Sequence, residues 1–333
     1  MKMKLLLTTL ALSLAAPMIH AADSLVVYSG RKDTFVKPVF EEFTKKTGIE
    51  VVVHAGESTA LLNKLRLEGA RSEADVYISN DSGNLDIGNS WGLFEPLPAK
   101  ITEQIPAQYH ATNNSWIGLS GRLRVLVVNT QAKDIDFVKS VFDLADPRLE
   151  GKVGVINSAN ESFIGGVSVY VEEKGAEATK NWLKGLKKNT GKNVYSKHAP
   201  IVEDVASGKL AVGLVNHYYI YRHLAEHPDA PIRILLPDQG DKDMGIAWNV
   251  TGAAVVKASK HKEAALKLVA YLVSEEGQKA YSIVNSEYPT RANIPAAPTV
   301  PAHGSFKTSK VPLSVLGNKR AATLDLIESV GMP

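Results

Sequence analysis

LVVYSGRKDTFVKPVFEEFTKKTGIEVVV, residues 25–53, carries two structural periods in succession. Leu25 to Ser29 is a short β-rich run, and Phe35, Val36, Val39, Phe40 and Phe43 then recur at the spacing of a helix face. Gly48 stops that pattern, and Ile49 to Val53 starts a second β-rich run. A strand, a helix and a strand in so short a span make the unit of a parallel sheet, because parallel neighbours need a crossover between them. Asp33 or Thr34 is expected as the N-cap, and Pro38 near the first turn, where a missing N–H sacrifices no helical bond. The alternation continues with a helix over Thr59 to Glu68 and a strand over Ala74 to Ser79. The chain therefore reads as α/β with mainly parallel sheets.

Two stretches interrupt the short alternation. Trp116 to Asn129 alternates as one long strand, after which Gly151 to Val155 opens a new α/β unit. Gly245 to Val256 is a second long β-rich stretch, leading into helices over His261 to Val273 and Glu275 to Val284. Two crossings imply two lobes: residues 23–121 with 250–295, and residues 122–249 with 296–333. A chain of 333 residues is long enough for both at ~150 residues per domain. The crossing strands would form a two-strand hinge near Arg124 to Val128 and Trp248 to Ala253. The C-terminal ends of parallel strands from both lobes would then line the cleft between them.

Composition excludes several classes of function. With 44% hydrophobic and 22% charged residues the chain is neither disordered nor fibrous. Lys and Arg number 38 against 35 Asp and Glu, an excess too small and too scattered for nucleic-acid or membrane-surface binding. The absence of cysteine removes disulfides, thiolate zinc sites, iron–sulfur clusters and thiol nucleophiles. Residues 1–22 combine Lys2 and Lys4, an apolar run from Leu5 to Ala16 and small residues at Ala21 and Ala22, the pattern of a cleaved secretory signal. The run is shorter than the ~20 residues of a spanning helix. A soluble, monomeric periplasmic protein is expected. Gly-x-Ser-x-Gly, His-Glu-x-x-His and phosphate-loop signatures do not occur, so a periplasmic hydrolase has no motif behind it.

Six phrases give a resemblance that covers essentially the whole chain after the signal: Val27 to Arg31, Ala74 to Tyr77, Leu119 to Arg122, Asn181 to Leu186, Asn216 to Tyr221 and Glu287 to Arg291. Together they resemble the periplasmic ferric-iron-binding proteins of ABC transporters. The resemblance implies the two-lobed, type II periplasmic binding-protein fold, Fe(3+) as transported ligand, a synergistic anion such as carbonate, and an inner-membrane ABC permease as partner. Most of the phrases are shared with binding proteins for other small solutes. The adjacent tyrosines Tyr218 and Tyr219, just past the apolar strand Leu210 to Val215, are the part that points to iron.

Ferric ion is a hard acid that favours anionic oxygen, which a phenolate supplies once the metal displaces a proton of ordinary pKa ~10. Two phenolates leave one positive charge for a carboxylate or small anion to neutralise. Arg122 occupies the place of the family's anion-pairing arginine, and a guanidinium would hold such an anion bidentately. Adjacent tyrosines outside such a context are more often one packed and one surface ring. Tyr221 is read as a ring that supports a ligand or packs, and His217 and His223 as solvated or capping side chains.

The auxiliary ligands depart from the family. Lys32 stands where one branch has a histidine, and Asp33 where another has a tyrosine, so Asp33 is read equally as cap or ligand. The usual glutamate aligns with Asn80 or, shifted by one, Asp81. A further cleft tyrosine aligns with Ser162, at a helix start whose amides bind an anion in other members. Glu161 beside it is read as a first-turn helix acid. Arg31 and Lys32 join Arg122 and Ser162 as anion-binding candidates. The same cations define the alternative ligand, an organic anion such as a phosphonate or phosphate ester, with the tyrosines as hydroxyl donors.

Overall fold

The computed structural model describes residues 24–333, so the expected signal segment lies outside the described residues. The strands are β1 (Ser24–Ser29), β2 (Glu50–Ala55), β3 (Val76–Ser79), β4 (Phe94–Glu95), β5 (Ile117–Asn129), β6 (Val153–Ile156), β7 (Val194–Tyr195), β8 (Val212–Asn216), β9 (Ile232–Leu235), β10 (Trp248–Val256) and β11 (Tyr288–Pro289). Between β1 and β2 the helix Asp33–Thr47 buries Phe35, Val36, Val39, Phe40 and Phe43, the stripe legible in the sequence. It stops at Gly48, whose φ of 72° is a left-handed conformation and whose N–H donates to Thr44 O at 2.8 Å. Two local expectations change. Lys32, not Asp33 or Thr34, occupies the N-cap and makes no side-chain cap bond, and Pro38 lies inside the helix. Its missing N–H leaves the Thr34 carbonyl without the helical donor four residues on, a loss met on the exposed face.

Two sheets share one strand. β2, β1 and β3 run parallel, and β10 joins them antiparallel to β3. In the other lobe β7, β6 and β8 run parallel. β5 links the two, antiparallel throughout. Its first half pairs with β10 as far as Leu123 opposite Trp248, and from Arg124, opposite Asn216, it pairs with β8. The Arg124 N–H still donates to Ala247 O at 3.1 Å, so both crossing segments meet where β5 changes partner. β5 is buried from end to end because each face is covered, which is why it reads as a long apolar alternation with Arg122 and Arg124 inside it. The fold is thus the two-lobed type II architecture, with parallel cores and antiparallel crossings.

The C-terminal segment ties the lobes together. Helix Ser314–Asn318 packs on helix Ser82–Ser90 of the first lobe, and helix Arg320–Val330 packs on helices Glu161–Lys174 and Ala176–Thr190 of the second. Arg320 forms a buried ion pair with Asp81 at 2.7 Å.

Candidate functional site

The C-terminal ends of six parallel strands converge on one cleft of about 560 Å3. Past β1 come Arg31 and Lys32, past β2 Glu57, past β3 Asn80, past β6 Asn160, past β7 Lys197 and His198, and past β8 Tyr218 and Tyr219. Parallel strands place their outgoing loops and helix starts at the same edge, so this convergence follows from topology.

β8 passes into helix His217–Glu226 with Asn216 as N-cap and no intervening loop. That junction sets Tyr218 and Tyr219 in the first turn, with ring centroids 4.5 Å apart. Tyr218 is 4% exposed; its oxygen accepts from Asn216 Nδ2 at 3.3 Å, and Phe35 meets its ring edge-on at 6.2 Å. The Arg31 and Arg222 guanidiniums lie 5.9 and 5.7 Å from the Tyr218 ring centroid. Tyr219 packs on His198 at 5.0 Å. Burial, then the neighbouring Tyr218 hydroxyl, pushes the Tyr219 phenol well above its usual range, against the pull of Arg31 and Arg222. The Tyr219 phenol is therefore a neutral group beside cations that favour its anionic form. Tyr221 is half-buried, outside the cleft lining, and burial pushes its phenol up to about 12, in keeping with a packing ring.

The auxiliary candidates separate. Lys32 and Asn80 line the cleft, and Asn80 Nδ2 donates to Gly30 O at 2.5 Å. Asp33 is exposed on the first helical residue and does not line the cleft. Asp81 is turned away: it caps helix Ser82–Ser90 by accepting from Gly83 N, and it also holds Arg320 and Asn249 Nδ2. Arg31 reaches the cleft but is already neutralised by Glu287 at 2.8 Å; burial pulls its guanidinium down, and Glu287 together with the Tyr281 and Tyr218 phenols carries it above its ordinary range. Arg122 lines a separate small cavity with Arg124. Ser162 lines that cavity too, and its N–H and hydroxyl both donate to Asn160 Oδ1, at 3.0 and 2.6 Å, so the amide offered to an anion is capped from within. The three cations of the phosphonate alternative are thus not gathered in the cleft as free charges.

Three roles were illegible in the sequence. His198 is 5% exposed and its Nε2 meets Ser162 Oγ at 3.0 Å; since that hydroxyl donates to Asn160, the imidazole carries its proton on Nε2 and leaves a bare Nδ1 lone pair. Burial, with Arg124 and Arg122 nearby, keeps the ring neutral. His217, expected as solvated or capping, is fully buried: Leu123 N donates to Nδ1 at 3.2 Å and Nε2 donates to Ser286 O at 2.8 Å, while burial pulls its pKa down to about 4. Glu161 spans the lobes, accepting from Thr59 N at 3.0 Å and Asn84 Nδ2 at 3.1 Å, and burial raises its pKa. A histidine three residues past a short strand, as His198 is, was the only local signal available.

Among the described residues no group of three His, Cys, Asp or Glu side chains gathers as a metal site. The family model for bacterial extracellular solute-binding proteins matches residues 39–308. The chain belongs to that family. Within it the chain is 32% identical to the major ferric iron-binding protein of Neisseria meningitidis over 100% of both chains. It is 30% identical to iron uptake protein A1 of Synechocystis, over 92% of this chain and 86% of the relative. Among solved structures, iron-bound HitA from Pseudomonas aeruginosa superposes with a TM-score of 0.87 at 32% identity, over 93% of this chain and 100% of that one. No helix among the described residues of this solute-binding protein is long and apolar enough to cross a membrane.

Proposed function

We propose that this protein captures ferric iron in the cleft between its lobes through the phenolates of Tyr218 and Tyr219, and delivers it from the periplasm to an inner-membrane ABC permease. The observation that carries this is the pair of adjacent phenols in the first turn after β8, facing a cleft of about 560 Å3. Iron is the cargo, and its charge supplies the work of deprotonating two phenols. Asn216 donates to the Tyr218 oxygen, and the guanidiniums of Arg31 and Arg222 offset part of the negative charge as it forms. Glu57 and Asn80 across the cleft, and His198, Asn160 and Ser196 on the tyrosine side, are further donor-bearing side chains on the lining. A small synergistic anion such as carbonate completes the charge, with Lys32 and Lys197 on the cleft wall to meet it.

Closure follows from the same geometry. Glu57 and Lys32 belong to one lobe and the tyrosines to the other, so a complete coordination shell needs the lobes together, by hinge motion where β5 changes partner. The permease would then meet a closed, monomeric carrier. Adding ferric nitrilotriacetate to the metal-free protein should produce the visible absorption band of ferric phenolate. A colourless protein that instead binds a phosphonate would replace iron by the organic anion.

A further inference from the structure

Helix His217–Glu226 begins with the tyrosine pair, and the chain at its other end reads His223, Leu224, Ala225, Glu226, His227. Residues four apart share one face of a helix, one turn above the other. His227 is the C-cap, and its N–H donates to His223 O at 2.8 Å, so the helical turn between the two histidines is closed. Their imidazole centroids are 4.8 Å apart, with 48° between the ring planes. His223 is half-buried, His227 is exposed, and neither lines the cleft.

The ring nitrogens of this pair are uncommitted. His110, His198, His217 and His261 each bond to a protein group through a ring nitrogen, His54 faces Glu73 at 3.5 Å, and His303 packs among Trp248, Tyr288 and Phe306. Among the described residues no hydrogen bond or ion pair engages either ring of the pair. The separation also suits a shared ion. With a metal–nitrogen bond of about 2.0–2.1 Å and the ring centre about 1.1 Å further on, one metal holds two imidazole centroids about 4.5 Å apart at a right angle and about 5.2 Å apart at a tetrahedral one. The observed 4.8 Å lies between them.

The electrostatics favour a cation. The charged groups acting on His223 are His227, Glu203 of helix Ala199–Ala206 and Glu226, with no lysine or arginine among them. Burial leads in lowering the His223 pKa, which keeps the ring in the neutral form that ligates. Arg222 turns elsewhere, over the Phe35 ring at 4.0 Å. The carbonyl end of the helix adds its partial negative charge.

We infer that His223 and His227 form a second metal site, outside the cleft, for one divalent transition-metal ion of the imidazole-preferring class, Cu(II) foremost. The two ends of one helix then serve different chemistries: phenol oxygens at its start suit a hard trivalent ion, and imidazole nitrogens at its end suit a softer divalent one. Copper leads because the affinity of such sites for divalent first-row metals peaks at Cu(II). No third His, Cys, Asp or Glu side chain gathers with the pair, so water completes the shell. The same four-residue spacing supplies only part of the protein ligands in zinc enzymes, and here it serves binding rather than catalysis.

Cupric ion, titrated into the metal-free protein without an affinity tag, is the probe. His223→Gln and His227→Gln should each weaken copper binding by about 100-fold, because two ligands on one rigid turn act at a high effective concentration. Iron retention should stay at the parent's level in both. The electron paramagnetic resonance spectrum of the copper-loaded parent should show coupling to two imidazole nitrogens, and that of His227→Gln to one. Copper affinity unchanged in both variants overturns the inference, and so does a parent spectrum without nitrogen coupling. Copper binding that is lost with Tyr218→Phe instead belongs to the cleft and overturns it as well.

Discussion

The two walls of the cleft are built differently. The wall past β6, β7 and β8 carries Tyr218, Tyr219 and His198, rings backed by a polar layer of buried Asn216 and Arg124 and half-buried Ser162 and Asn160. The facing wall carries Lys32 and Glu57, both exposed, with Arg31 as its one buried cation, already committed to Glu287. One wall is preorganised and the other adjustable. Preorganised donors keep more of their interaction energy because little side-chain freedom is lost on binding. The tyrosine wall should therefore determine whether iron binds at all, and the opposite wall how firmly the closed form holds.

Four substitutions and one titration can break that contrast. The largest effect should fall on stability. Arg31→Met strands Glu287, fully buried, without its countercharge, and should cost about 3–5 kcal/mol in a denaturant melt. A loss under 1 kcal/mol would mean that the adjustable wall has no fixed anchor. Tyr218→Phe and Tyr219→Phe keep ring volume while removing the oxygen. Each should weaken iron retention by more than about 100-fold, beyond the 10–100-fold typical of groups that only support a ligand, with little change in melting temperature. Variants that hold iron like the parent would place the metal elsewhere.

Acidity acts on the same pair. Burial holds the Tyr219 phenol above its usual range, so it is protonated at every working pH, and ligation by two phenolates must release two protons. Retention should then fall by about two decades per pH unit as the solution is acidified, followed by the fading of the phenolate band. A slope near one decade would mean that only one tyrosine ligates. The smallest effect belongs to Lys32. As an exposed charge it should change iron binding by no more than about fivefold on replacement by alanine. A much larger loss, shared by phosphonate binding, would sharpen the opposite case, in which the adjustable wall selects an anionic solute.

Local sequence determined the elements and the tyrosine pair. The helical stripe from Phe35 to Phe43, the stop at Gly48, the long crossing strand of β5 and the passage from an apolar strand into Tyr218 and Tyr219 all depend on neighbours within a few residues. Periodicity and turn chemistry report such neighbours directly. Only the tertiary structure decided what each polar residue does. Arg31 is neutralised by Glu287, Asp81 is withdrawn from the cleft by Arg320, Glu161 is drawn across to Thr59, and Arg122 and Arg124 are left facing one small cavity. A buried charge takes its role from whichever groups surround it, and here those groups come from strands and helices far apart in the chain.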